Sequence, residues 1–203
     1  MTASKKKIAG KAKARKNQYD SAWKKIIREL FKYFLEFFFP DIYRAIDFSR
    51  GVIFLDKELN EDGPDSAVGN READILVKVH LRDGVAQIVY IRIIIHIEVQ
   101  GQPHKDFMER MLIYNLRAFN AEKGEKVPVI SLAVLTDDDD NFRPTEYKSG
   151  LLGFELRMKI PTVKILDFKL KQEFIERMKD TANPMSIVVQ PQLKSLEVKT
   201  RED

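Results

Sequence analysis

Cysteine is absent from the 203 residues. A disulfide scaffold, a thiolate-ligated zinc or iron–sulfur centre and a thiol nucleophile are therefore all excluded. The same absence fits a reducing compartment, and a cytoplasmic location is expected. Long apolar runs are lacking too. The longest fall well short of a membrane span, and no apolar stretch follows the lysine-rich start, so neither a membrane helix nor a signal peptide is expected. No internal repeat is visible.

Apolar residues make up 44% of the chain and charged residues 33%. That is enough apolar surface for a core, and the length suits one domain with appendages. The net charge of +4 is unevenly spread. Lys5, Lys6, Lys7, Lys11, Lys13, Arg15 and Lys16 give residues 1–19 a charge of +7 with no acid, which leaves −3 on residues 20–203. A basic arm on a mildly acidic body reads as a tether for a polyanion, nucleic acid above all, or as a solubilising tail. Its Gly and Ala supply no packing face, so residues 1–18 are expected to be an unstructured arm.

The first strong element begins near Asp20 or Ser21, either of which can cap a helix. Trp23, Ile26, Ile27, Leu30, Phe31, Phe34, Leu35 and Phe38 follow helical spacing as one wide stripe, which Pro40 stops or redirects. Residues 60–70 form a polar loop. Residues 73–81 (ADILVKVHL) alternate as a strand, and Asp83-Gly84 signals a tight turn. Residues 85–100 read as a long second strand with both faces covered. Gln102-Pro103 opens a helix that ends near Gly124. Residues 127–135 (VPVISLAVL) read as a buried strand and Asp137 to Arg143 as a solvated loop. Residues 154–168 suit a sheet edge, because Pro161 interrupts them. The expected domain spans 19–168. Residues 169–203 are expected to give a short helix and a mobile C-terminal tail. This order implies an α/β fold with a mixed central sheet flanked by helices.

The chemistry-bearing segment is Ile95-His96-Ile97-Glu98-Val99-Gln100. Alternation puts His96, Glu98 and Gln100 on one face of the strand. A carboxylate there needs compensation, and a divalent cation such as Mg²⁺ supplies it with oxygen ligands. Asp74, near the start of the preceding strand, is a second carboxylate that can share the ion. Arg110, Tyr114 and Arg117 fall on one helical face, where the two arginines can contact phosphates or pair with nearby acids.

Four segments carry a family resemblance: 19–50 (YDSAWKKIIRELFKYFLEFFFPDIYRAIDFSR), 97–100 (IEVQ), 109–119 (ERMLIYNLRAF) and 142–145 (FRPT). Together they resemble the Rpn/YhgA-like transposase family of the PD-(D/E)XK nuclease superfamily, over roughly residues 19–168. The resemblance implies a PD-(D/E)XK nuclease-like fold and a Mg²⁺-dependent DNA endonuclease linked to recombination. Asp74 then matches the motif aspartate and Glu98 the motif glutamate. Gln100 stands where many relatives carry lysine and would position water. Glu29, on the first helix, matches a glutamate that can complete the metal site. The arm and Arg110 and Arg117 would bind DNA. The expected partner is DNA, with a second copy of the chain as a further candidate and no membrane.

One spacing works against the site. Twenty-three residues separate Asp74 from Glu98, a few more than in such relatives. A two-residue turn at Asp83-Gly84 pairs Leu81 with Ala86 and Asp74 with Ile93. Glu98 then lies about 15 Å beyond Asp74's partner position. The two carboxylates meet only if the connecting loop is longer or a bulge absorbs about five residues. The alternative function is a catalytically silent nuclease-fold module for DNA binding or assembly. A third reading is a small-molecule phosphodiesterase, which the basic arm disfavours.

Overall fold

The computed structural model describes residues 22–55, 75–84, 92–121, 127–179 and 182–202. The basic arm, the polar loop at 60–70 and Asp74 lie outside the described residues.

The expected aromatic stripe forms the first layer. Residues 22–29 (α1) and Phe31–Phe38 (α2) run on through Leu30, whose carbonyl still accepts from Phe34 N at 2.8 Å. Trp23, Ile27, Phe31, Phe34, Leu35 and Phe38 are all buried, each contributing on the order of 1.5–3 kcal/mol. Proline disfavours helical dihedrals in the residue before it, and Phe39 leaves the helix at φ −135°, ψ 62°. Pro40 then opens the short helix Pro40–Ala45 (α3), where its missing N–H costs nothing.

Five strands make the central sheet: Val52–Phe54 (β1), Ile75–His80 (β2), Arg92–Gln100 (β3), Val129–Leu135 (β4) and Thr162–Lys164 (β7). Their order is β1-β2-β3-β4-β7. The first two pairings are antiparallel and the last two parallel, so the sheet is mixed. The helix Phe107–Ala121 (α4) carries the crossover from β3 to β4. The hairpin Glu146–Leu151 (β5) and Phe154–Lys159 (β6) lies between β4 and β7.

Strand alternation assigns the two faces. Ile75, Val77, Val79, Ile95 and Ile97 join the α1–α2 stripe in the main core. The other face packs on α4, through Ala133 and Leu135 against Phe107 and Met111, and through Leu76 against Ala118. The mixed sheet flanked by helices is thus as expected, with β3 inside it.

Several expectations are corrected. The turn at Asp83-Gly84 does not close a two-residue hairpin. Leu81 bridges Ile46, and the described ladder runs as far as His80↔Arg92, a register that a two-residue turn at 83–84 cannot give. Ile93 accordingly faces Val79 and not residue 74. The crossover helix starts at Phe107, four residues after Pro103. Asp137 is no solvated turn residue, because its buried carboxylate meets the buried ammonium of Lys164 at 2.7 Å.

The expected mobile tail is structured. After Asp167–Leu170 (α5) and Gln172–Lys179 (α6), Met185–Glu202 forms α7. Met185, Val189 and Leu193 sit at helical spacing in the main core. Asn183 Nδ2 donates to Tyr33 O at 3.2 Å, and Arg177 donates to Phe37 O at 3.0 Å, which ties this end of the chain to α2.

Candidate functional site

The parallel ladder from β3 to β4 fixes the site's floor. His96 faces Ser131, Glu98 faces Ala133, and Gln100 faces Leu135. These small and apolar neighbours leave room for side chains reaching down from α4. Residues 110 and 114 are one helical turn apart, so both point at β3's polar face.

Arg110 is the central contact. Its guanidinium donates to Gln100 Oε1 at 2.9 Å and lies 3.9 Å from Glu98 Oε1. Gln100 in turn donates from Nε2 to Gln102 O. Glu98 keeps 18% side-chain exposure and Arg110 25%, so the pair stands at the site's mouth. Arg110 Nε is buried with no acceptor in the structure. The Gln100 carbonyl accepts from Thr136 N at 2.9 Å, which locks the strand end.

His96 lies one step deeper and is fully buried. Its Nδ1 is 3.0 Å from Ser131 Oγ, which also accepts from Asn115 Nδ2 at 3.0 Å. Its ring meets Tyr114 edge-on at 5.9 Å. Burial pushes the imidazole down to about 4, against a smaller opposing pull from the Glu98 charge. The ring is therefore neutral at neutral pH, and it serves as a packed, hydrogen-bonded floor beneath Glu98.

The other candidates fall elsewhere. Arg117 is exposed on α4, with its guanidinium 5.8 Å from the Tyr114 ring centre. Glu29 is exposed on α1, 4.0 Å from Lys25, on a helix whose stripe packs against the opposite sheet face from Glu98. The structure does not bring Glu29 to Glu98. Lys5, Lys6, Lys7, Lys11, Lys13, Arg15 and Lys16 lie outside the described residues, as does Asp74.

Among the described residues, no group of three His, Asp or Glu side chains converges as metal ligands. Among the described residues the donor set on this face is one carboxylate, Glu98, plus the amide oxygen of Gln100. That is too little to hold Mg²⁺ unless a second carboxylate joins it. The sequence allowed Arg110 to pair with the sheet acids, and the structure brings it to Glu98, while its hydrogen bond to Gln100 was not anticipated. Sequence reasoning missed the ion pair of Asp137 with Lys164, at the carboxyl ends of β4 and β7. The only signal was a lysine closing an otherwise apolar strand.

Among the described residues no helix is long and apolar enough to cross a membrane. Comparison with protein-family models, curated proteins and solved structures gives no match.

Proposed function

We propose that the protein is a Mg²⁺-dependent DNA endonuclease of PD-(D/E)XK type, hydrolysing phosphodiester bonds at the mouth formed by Glu98, Gln100 and Arg110. The observation that carries this reading is the β2–β3 register. Ile75 faces Ile97 and Leu76 faces His96. Carried one residue further, the same register pairs position 74 with Glu98. Directly opposed residues in an antiparallel pair share a face and lie about 4.5–5.5 Å apart. With this register the 23-residue spacing is compatible with the two carboxylates meeting.

Asp74 and Glu98 would then hold the ion between them, which supplies an activated water and neutralises charge on the phosphate. The protein's own groups do the rest. Gln100, held by Arg110 at its oxygen, has one amide N–H left to orient water. Arg110 presents a guanidinium to a phosphate oxygen, and its Nε has no other acceptor in the structure.

The second reading, a silent nuclease-fold module, is favoured by a different observation. Arg110 already sits 3.9 Å from Glu98 and compensates its charge without any metal. One experiment decides between the two. Wild type should nick supercoiled plasmid with Mg²⁺, and added Mg²⁺ should raise its melting temperature by mass action. Glu98→Gln and Asp74→Asn should each lose both effects while melting no lower than wild type without metal. Wild type with neither cleavage nor a Mg²⁺ shift would establish the silent module instead. Cleavage surviving in both variants would place the chemistry elsewhere.

A further inference from the structure

The β5–β6 hairpin has two unlike faces. Its register opposes Tyr147 to Met158, Ser149 to Leu156, and Leu151 to Phe154. Opposed residues share a face, so this one is apolar along its length. The reverse face carries Glu146, Lys148, Glu155, Arg157 and Lys159, with Arg157 already donating to Glu146 at 2.5 and 3.0 Å, so a second copy's Glu155 would share the guanidinium with Glu146. The apolar face begins in the core, where Tyr147 and Met158 pack beside Phe107 and Leu135. It then runs out into solvent: Leu151 is 74% exposed, Phe154 64% and Leu156 37%. A two-stranded ribbon is marginal by itself, and an exposed apolar face on one signals a missing layer or strand.

Among the described residues neither outer edge of the hairpin has a strand partner, and that of β6, unlike that of β5, holds no glycine. Ile160 N donates to Thr145 O at 3.0 Å, so Ile160 turns its backbone groups towards β5. Alternate residues along the strand do the same. Leu156 and Met158 therefore face inward, and Glu155, Arg157 and Lys159 turn their N–H and C=O groups outward. Among the described residues no strand pairs with that edge. It carries neither proline nor glycine to block pairing.

We infer that β6 pairs antiparallel with β6 of a second copy, across a twofold axis at Leu156. The charge pattern selects that axis. With the axis at Leu156, Glu155 of each copy faces Arg157 of the other, and these are the outward-facing, hydrogen-bonding residues. Phe154 then faces Met158, and Leu156 faces its own mate. An axis at Glu155 sets Glu155 against Glu155, and one at Arg157 sets Arg157 against Arg157 while bringing Glu155 opposite Lys159, so of the three the axis at Leu156 alone has no like-charge pair. The result is a four-stranded ribbon with one continuous apolar face, an isologous interface. It is independent of the nuclease reading.

The test is the assembly state of the full chain by sedimentation. Wild type should be a dimer. Glu155→Arg and Arg157→Glu should each weaken dimerisation on the order of tenfold or more, since two opposite-charge pairs become two like-charge pairs. Mixing those two variants should restore the dimer, because each introduced charge then faces its opposite. Leu156→Cys adds a second readout. The chain has no cysteine of its own. Mates at a non-hydrogen-bonded pair lie about 4.5 Å apart, within disulfide reach. Oxidation should link this variant into a reducible dimer and leave Ser149→Cys, on the far strand, unlinked. A monomeric wild type, a mixture no tighter than either variant alone, or equal linking of both cysteine variants would each overturn the inference.

Discussion

His96 shows how one buried residue reports on the site's floor. Burial lowers its imidazole to about 4 from an ordinary 6.5. The unfolded chain therefore takes up a proton that the folded chain refuses, and protonation favours unfolding. The stabilisation from the neutral ring is complete above pH 6.5. It is lost as pH falls through 6.5 towards 4, in total about 3 kcal/mol. His96→Asn keeps a polar atom near Nδ1 but cannot titrate. Denaturant unfolding at pH 7 and at pH 4.5 should show wild type losing markedly more stability than the variant, whatever the variant's absolute stability. Equal losses would mean that His96 is not the buried neutral ring described. The sequence supplied the residue, its face and its place one step deeper than Glu98 as a core histidine. The partners Ser131 and Tyr114 were not legible, because they arrive from a neighbouring strand and a helix beyond it.

At the scale of elements, turn chemistry separates what was legible from what was not. Alternation and apolar spacing sufficed for β2, β3, β4 and the α1–α2 stripe. The β2–β3 register was not legible, because Asp83-Gly84 is an ordinary hairpin signal, yet a two-residue turn there cannot give the register observed. The backbone does turn there, with Gly84 at φ 79°, but Leu81 is already bridged to Ile46. Helix α7 was hidden for another reason. Pro191 lies inside it, and proline removes a helical hydrogen bond. The buried spacing of Met185, Val189 and Leu193 outweighs that loss. The β5–β6 turn uses the wrong residue for its shape. Leu151 faces Phe154, so Leu152 and Gly153 form a two-residue turn with φ of 51° and 87°. Such turns favour Asn-Gly, and leucine in the left-handed region costs about 1–2 kcal/mol. Leu152 is 97% exposed and loses no packing if replaced. Leu152→Asn should raise the melting temperature by about 2–4 °C. A lower melting temperature would show that the leucine is held by a contact outside this chain's own fold.

Across the whole molecule, charge and fold are divided between different parts of the chain. Among the described residues the buried core starts at Trp23, and the arm's Lys, Gly and Ala supply no packing face of their own. The seven cations all precede residue 17, while residues 20–203 carry −3. The body by itself should therefore repel a polyanion at long range, apart from local cations such as Arg110. DNA binding then depends on the arm. Seven phosphate contacts would release enough counterions for a salt slope near −6 on duplex DNA. Removing residues 1–17 should reduce that slope to about −1, the share of a single body contact such as Arg110, and weaken binding at low salt. The melting temperature should stay within about a degree, because the arm's composition offers no apolar face to pack. Measuring affinity over a salt series for both chains checks this directly. A slope unchanged by the deletion would move the DNA contacts onto the body, with Arg110 and Arg117 the first residues to replace. A melting temperature that fell sharply would instead show the arm packed against the fold.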